Sequence, residues 1–210
     1  MHIVLVGDSI FDNASYTRGG PDVISQVREL LPEGLRVSLL AVDGATTEEV
    51  PAQLERIPPA ASHLVLSAGG NDALLKLGIL AMPADSTSHV LTALAEVSQD
   101  FEEKYRRAVA VCQGLHLPLT LCTIYNGCFP DPTFQRRAST ALMVFNDVIL
   151  RVGIELGLAI IDLRFVCSSP ADYANPIEPS SIGGAKIARA IVNLVSSRDA
   201  HNLSAEVVAG

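Results

Sequence analysis

Five short, almost wholly apolar runs, separated by stretches with helical periodicity, constrain this chain more than any other feature. They are Ile3 to Val6, Val37 to Val42, Leu64 to Ala68, Leu119 to Ile124 and Leu158 to Asp162. None alternates polar with apolar residues, as a strand with one wet face would. They suit strands covered on both faces, which is the condition of a parallel sheet. Between them Pro21 to Leu31, Thr46 to Ile57, Ser88 to Leu115 and Pro132 to Leu156 read as helices, and Ser180 to Ser196 closes the series. The second of these opens on a capping pattern, Thr46-Thr47-Glu48-Glu49, and carries Pro51 early, where a missing N–H is tolerated. This β-α repetition predicts right-handed crossovers and an α/β fold: a three-layer α/β/α sandwich around a five-stranded parallel sheet.

The length of 210 residues suits one domain, 1–198, with 199–210 as a flexible C-terminal tail. The net charge of −8, with no Lys/Arg-rich run, argues against a nucleic-acid or anionic-membrane partner. Arg106-Arg107 and Arg136-Arg137 are isolated pairs expected on solvated helix faces. No segment reaches the ~18 apolar residues of a membrane span. With no basic leader before the first strand, the default location is cytoplasmic. Cys112, Cys122, Cys128 and Cys167 show no metal-ligand spacing and are expected to be reduced packing residues. There is no GxGxxG and no zinc-ligand array, so no cofactor and no metal is expected. Gly183-Gly184-Ala185-Lys186 lacks the spacing of a phosphate loop and reads as a glycine-assisted helix start.

Function is concentrated at the strand ends. Ser9 follows the first strand in Gly7-Asp8-Ser9-Ile10, Gly44 follows the second, and Asn71 follows the third in Gly69-Gly70-Asn71-Asp72. Open parallel sheets bind ligands beyond the carboxyl ends of their strands, so all three belong to the same edge. A serine held there by a glycine-sharpened turn is placed as a nucleophile.

These blocks resemble the SGNH (GDSL-type) hydrolases, esterases and acylhydrolases on a flavodoxin-like sandwich. The resemblance runs through the chain in order, as Gly7-Asp8-Ser9-Ile10-Phe11-Asp12-Asn13, then Gly44, then Gly69-Gly70-Asn71-Asp72. It implies a small ester or acylated substrate, with Ser9 attacking the acyl carbonyl. The Ser9 N–H, the Gly44 N–H and the Asn71 side chain would stabilise the oxyanion, and one preorganised donor is worth ~3–4 kcal/mol. Asp8 and Asp72 would hold loops. The family's last block, DxxH followed by proline and then glycine, corresponds to Asn175-Pro176-Ile177-Glu178-Pro179-Ser180-Ser181-Ile182-Gly183. Asn175 stands where the aspartate should be, and Glu178 where the histidine should be.

The serine needs a base within reach. An ordinary Glu, at ~4.3 against ~6.5 for His, is weaker by roughly 2.7 kcal/mol unless burial raises it. Asn175 is suited to orienting Glu178, and Asp172 to orienting it or pairing with it. His2, His63 and His116 precede strands and fall on the opposite edge, and His201 is in the tail. His89 alone leaves from the correct edge, as a substitute base. Tyr125 and Asn126 follow the fourth strand and are candidates for the substrate pocket, with Phe129 to Phe134 on the same rim and Gly78 to Thr87 as a lid loop. Two functions follow: a serine hydrolase with Glu178 replacing histidine, or a catalytically silent protein that binds an acyl or acetyl ligand in the same pocket.

Overall fold

The computed structural model describes residues 1–198 and 207–208. Five strands, β1 (His2–Gly7), β2 (Arg36–Leu39), β3 (His63–Ser67), β4 (Leu119–Cys122) and β5 (Ala159–Ile161), pair throughout in parallel. A two-residue strand, β6 (Val207–Val208), pairs parallel with β5 at the outer edge, giving the order β2-β1-β3-β4-β5-β6. The expected tail therefore contributes one short strand, and its other residues lie outside those described.

Among the described residues seven α-helices flank the sheet: α1 (Val23–Leu30), α2 (Val50–Leu54), α3 (Gly70–Leu75), α4 (Thr87–Gln113), α5 (Pro132–Glu155), α6 (Leu163–Val166) and α7 (Ser181–Arg198). β1, β3, β4 and β5 are buried on both faces, which is why they show no alternation in the sequence, whereas the edge strand β2 is only partly covered. Along β1, Ile3 and Leu5 face the core made with α1 and α7, while Val4 and Val6 face the core made with α2, α4 and α5. The helix starts are set locally. Asp22, Ser86 and Asp131 each accept a backbone N–H at the starts of α1, α4 and α5, and Thr46 with Glu49 forms the capping box of the 3₁₀ turn Thr47–Glu49. That turn and α2 together take the place of the single helix expected from Thr46 to Ile57, ending at Leu54.

The chain leaves β1 toward β2 and then returns past it to β3. The order therefore reverses between β1 and β3, and a crevice opens beyond their carboxyl ends. Gly7, at the end of β1, has φ +128°, and a Cβ there would lie 1.7 Å from the Ser67 carbonyl oxygen. Only glycine lets β1 and β3 approach so closely at the point where the site begins. Gly183 plays a similar part on α7, where a Cβ would lie 2.2 Å from the Asp172 carbonyl. None of the described helices is long and apolar enough to cross a membrane.

Candidate active site

Ser9 sits in the turn after β1 and is buried. It is held by what surrounds it rather than by its own contacts. The Gln53 amide on α2 accepts from the Gly7 N–H (2.8 Å) and donates to the Gly7 carbonyl (2.7 Å). Asp8 Oδ1 accepts from the Ile10 N–H (3.1 Å) and, more weakly, from the Ser67 hydroxyl (3.4 Å). The serine turn is thus tied to α2, to β3 and to itself.

Gly44 lies in the turn after β2 with φ +82° and open space around it. Asn71, at the start of α3, donates through Nδ2 to the Ala45 carbonyl (2.9 Å), which joins the end of β3 to that turn. Asp72 accepts from both the Thr47 N–H (3.0 Å) and the Thr47 hydroxyl (2.8 Å), so it braces the same junction. The backbone N–H groups of Ser9 and Gly44 have no acceptor among the described residues.

Glu178 comes from a loop pinned at several points. Asn175 Oδ1 accepts the N–H groups of Ile177 (2.9 Å) and Glu178 (3.0 Å). The Ala174 N–H donates to the Glu178 carbonyl, and Tyr173 bridges Pro179. The Tyr125 hydroxyl donates to the Ile177 carbonyl (2.6 Å), and the Cys128 N–H donates to the Pro176 carbonyl (2.8 Å). Asn175 therefore orients Glu178 through the backbone of its turn, not through the carboxylate.

The Glu178 side chain is 6 % exposed, and its Oε2 is buried without a hydrogen-bond partner. Burial pushes its carboxyl up to about 7; a hydrogen bond from the Ser9 hydroxyl opposes that rise, and the Asp43 charge adds to it. Burial likewise lifts Asp8 to about 7, against the Ile10 N–H and with a contribution from the Glu178 charge. Across the mouth, the Asp43 N–H donates to Asp12 Oδ2 (3.0 Å), and the Tyr16 hydroxyl donates to Asp43 Oδ2 (2.7 Å). That last bond pushes the Tyr16 phenol up to about 12.

One cleft collects Asp8, Ser9, Asn71, Tyr125, Asn126 and Glu178. It encloses about 960 Å³ of empty space, open mouth included. Gly44 lines a shallow depression beside it, together with Asp43, Ala45 and Gln53. Asp172 stands apart: it is fully buried, with the Lys186 ammonium 2.7 and 2.8 Å from its two oxygens and the Ser169 N–H at 2.9 Å. It does not line the cleft, and it anchors the start of α7. His89 is exposed, and its N–H donates to the Ser86 hydroxyl at the cap of α4. Among the described residues no histidine lines the cleft. Within the stretch Gly78 to Thr87, Ile79 and Leu80 line the cleft from the 3₁₀ helix Leu77–Ala81, and residues 82–86 form a loop leading into α4.

Two residues with no motif around them support the site. Gln53 is one; Asn146 on α5 is the other, its amide accepting from the Ile124 N–H and donating to the Ile124 carbonyl, both at 2.8 Å. Each is a buried polar side chain within an apolar helix face, and that pattern was the available signal. Replacing Gln53 with Met leaves the Gly7 N–H unpaired, while the Gly7 carbonyl keeps the Val42 N–H at 3.0 Å. A loss of about 1–3 kcal/mol in chemical denaturation is expected. Turnover should fall through kcat more than KM, since Gly7 lies two positions from Ser9.

A three-layer sandwich with a serine turn, a glycine turn and an asparagine at successive strand ends defines an SGNH-type hydrolase fold. The chain belongs to the GDSL-like lipase/acylhydrolase family, whose sequence profile matches residues 5–183. No curated protein sequence is significantly similar to it. Among solved structures it is similar to the acetyl xylan esterase AlAXEase, at 16% identity and TM-score 0.69, covering 93% of this chain and 100% of that one. It is also similar to an extracellular lipase from Streptomyces rimosus (15% identity, TM-score 0.66, coverage 92% and 99%). A lipase/acylhydrolase from Enterococcus faecalis gives 20% identity and TM-score 0.66, with coverage of 94% and 96%. At these identities the likeness is one of fold.

Proposed function

We propose that this chain hydrolyses an acyl ester through an acyl-Ser9 intermediate, with Glu178 as the base. The observation that carries the proposal is the Glu178 carboxylate itself. It is desolvated, carried by a pinned loop into the cleft that Ser9 also lines, and lifted to about 7, the range of a tuned catalytic carboxylate. Burial thus offsets most of the basicity that an ordinary glutamate lacks relative to histidine.

In acylation, Ser9 Oγ attacks the ester carbonyl carbon while its proton moves to Glu178. The oxyanion is met by the N–H groups of Ser9 and Gly44 and by Asn71 Nδ2, whose second hydrogen is not used by the Ala45 carbonyl. The carbon–oxygen bond to the alcohol breaks, and the alcohol leaves with the proton from Glu178. Water then attacks the acyl-serine, giving its proton to Glu178. The acid departs and Ser9 Oγ recovers the proton. Asn175 and Tyr125 act on the loop that carries Glu178, and Asn126 lines the cleft.

A second assignment is a silent acyl-binding protein, favoured by one observation, the absence of any histidine from the cleft among the described residues. The pH profile of p-nitrophenyl ester turnover separates the two. A base with its midpoint near 7 must lose its proton to act, so kcat/KM should rise with pH through that range. The rise should persist in Asp8→Asn, although Asp8 titrates in the same interval, and vanish in Glu178→Gln. A silent protein gives no turnover at any pH.

A further inference from the structure

Of the three proposed oxyanion donors, only the Gly44 N–H rides on an exposed turn; Ser9 is buried and Asn71 half-buried. That turn, Val42 to Ala45, is closed by the Ala45 N–H donating to the Val42 carbonyl (3.1 Å), and Gly44 occupies its third position at φ +82°. A positive φ there belongs to a type II turn. A type I turn accepts the same closing bond with its central peptide turned over, and glycine is tolerated in both. The central peptide here joins Asp43 to Gly44, so the choice of turn sets which way the Gly44 N–H points.

Asp43 is held from two sides by one segment. Asp12 Oδ2 accepts the Asp43 N–H (3.0 Å), and the Tyr16 hydroxyl donates to Asp43 Oδ2 (2.7 Å). Both come from the stretch that leaves Ser9, and that stretch is itself fixed. The N–H groups of Phe11 and Asp12 donate to the Asp8 carbonyl (3.1 and 3.2 Å), and the Tyr16 N–H donates to the Asn13 carbonyl (2.9 Å). Phe11 and Asn13 are fully buried. Asn13 accepts the Val23 N–H at α1 (2.9 Å) and donates to the Pro179 carbonyl beside Glu178 (3.3 Å). Asp12 and Tyr16 thus reach the exposed turn from a base that also registers Ser9 and the Glu178 loop.

We infer that Asp12 and Tyr16 are positioning residues: through Asp43 they hold the Gly44 peptide in the orientation that presents its N–H to the oxyanion formed at Ser9. The inference rests on the hydrolase assignment and adds the device that sets one of its donors. A donor stabilises the transition state fully only when its direction is fixed before the charge develops. A glycine turn free to turn its peptide over would need reorienting in each turnover.

The test compares Tyr16→Phe, Asp43→Ala and Asp43→Asn with the wild type, by p-nitrophenyl acetate kinetics and by NMR of the Gly44 amide. Tyr16→Phe and Asp43→Ala remove the bond and should lower kcat about 10–100-fold with KM within about twofold, since an oxyanion donor acts in the transition state. Asp43→Asn keeps an acceptor for the Tyr16 hydroxyl and should recover most of what Asp43→Ala loses. If the Asp43 charge were what matters, Asp43→Asn would be as poor as Asp43→Ala and Tyr16→Phe close to wild type, and that order overturns the inference. In Tyr16→Phe the Gly44 order parameter should fall from about 0.85 to below about 0.6, or its amide–Hα couplings should report a changed φ, while the β1 amides stay as they are. The NMR arm needs no turnover. If the wild type cleaves no ester yet Gly44 loosens or turns over in Tyr16→Phe, the brace stands and the hydrolase assignment falls. A Gly44 amide unmoved in Tyr16→Phe, or an active wild type whose kcat Tyr16→Phe leaves unchanged, overturns the inference.

Discussion

Replacing Glu178 with Gln should abolish most turnover and, at the same time, raise the thermal stability of the protein at pH 8. The amide keeps the size of the side chain but cannot take the Ser9 proton. A loss of about 10²–10⁴ in kcat follows from removing a general base. The stability change follows from linkage. Glu178 binds its proton more tightly folded, at about 7, than in an unfolded chain near 4.5. Between those values the folded state holds more protons, so stability falls as pH rises through the interval and is lowest above 7. Gln carries no charge to desolvate and removes that penalty. Melting curves at pH 5 and pH 8 read the effect: the wild type should lose stability between them, and Glu178→Gln should lose less. A glutamate kept only to hold its loop would show the reverse, a variant that is less stable at both pH values. Asp8, raised by the same burial, contributes in the same direction, and so the wild-type slope exceeds what Glu178 alone would give.

The largest loss of stability is expected from Gly7→Ala. The added methyl would sit 1.7 Å from the Ser67 carbonyl oxygen, which is backbone of a central strand and cannot rotate away. The residue would also be held at φ +128°, outside the range comfortable for an alanine. Relief requires β1 and β3 to part at the place where Gln53 clamps Gly7 and where Ser9 begins its turn. A cost of about 4 kcal/mol or more is expected, among the largest a single substitution produces. Denaturant titration of the purified variant, or its failure to accumulate as folded protein, measures it. Gly44→Ala is the informative contrast. There the methyl meets nothing within 4 Å, so only the φ of +82° is unfavourable, at about 1–2 kcal/mol. Similar losses at the two positions would contradict the close approach of β1 to β3.

The sandwich was legible in the sequence because strands buried on both faces leave continuous apolar runs, and these punctuate the chain. The blocks around Ser9, Gly44 and Asn71 were legible because each follows such a run. Strand boundaries shifted by one to three residues; β2, for example, stops at Leu39 rather than Val42, because the N–H groups of Leu40 and Ala41 both donate to the Leu5 carbonyl and interrupt the regular ladder with β1 before the Val42 N–H reaches the Gly7 carbonyl. α3 was not anticipated: Gly69, at φ +118°, supplies the left-handed residue just before the helix. Of the stretch Gly78 to Thr87, residues 82–86 are a loop as expected, and the first residues belong to the 3₁₀ helix Leu77–Ala81. Asp172 illustrates a different limit. Nothing near it in the chain announces Lys186, its partner fourteen positions on and a turn into α7. Gln53 and Asn146 mattered only after folding brought Gly7 and Ile124 against them. Contacts of that kind are set by tertiary packing, not by local pattern.

On the proposed mechanism Ser9 is an activated nucleophile despite the missing histidine, and labelling with a fluorophosphonate probe, followed by peptide mass spectrometry of the adduct, tests this. A single adduct is expected on the peptide containing Ser9, lost in Ser9→Ala, strongly slowed in Glu178→Gln, and faster at pH 8 than at pH 6 as Glu178 gives up its proton. An absence of labelling at any pH in protein shown to be folded, or an adduct that persists in Ser9→Ala, would contradict it.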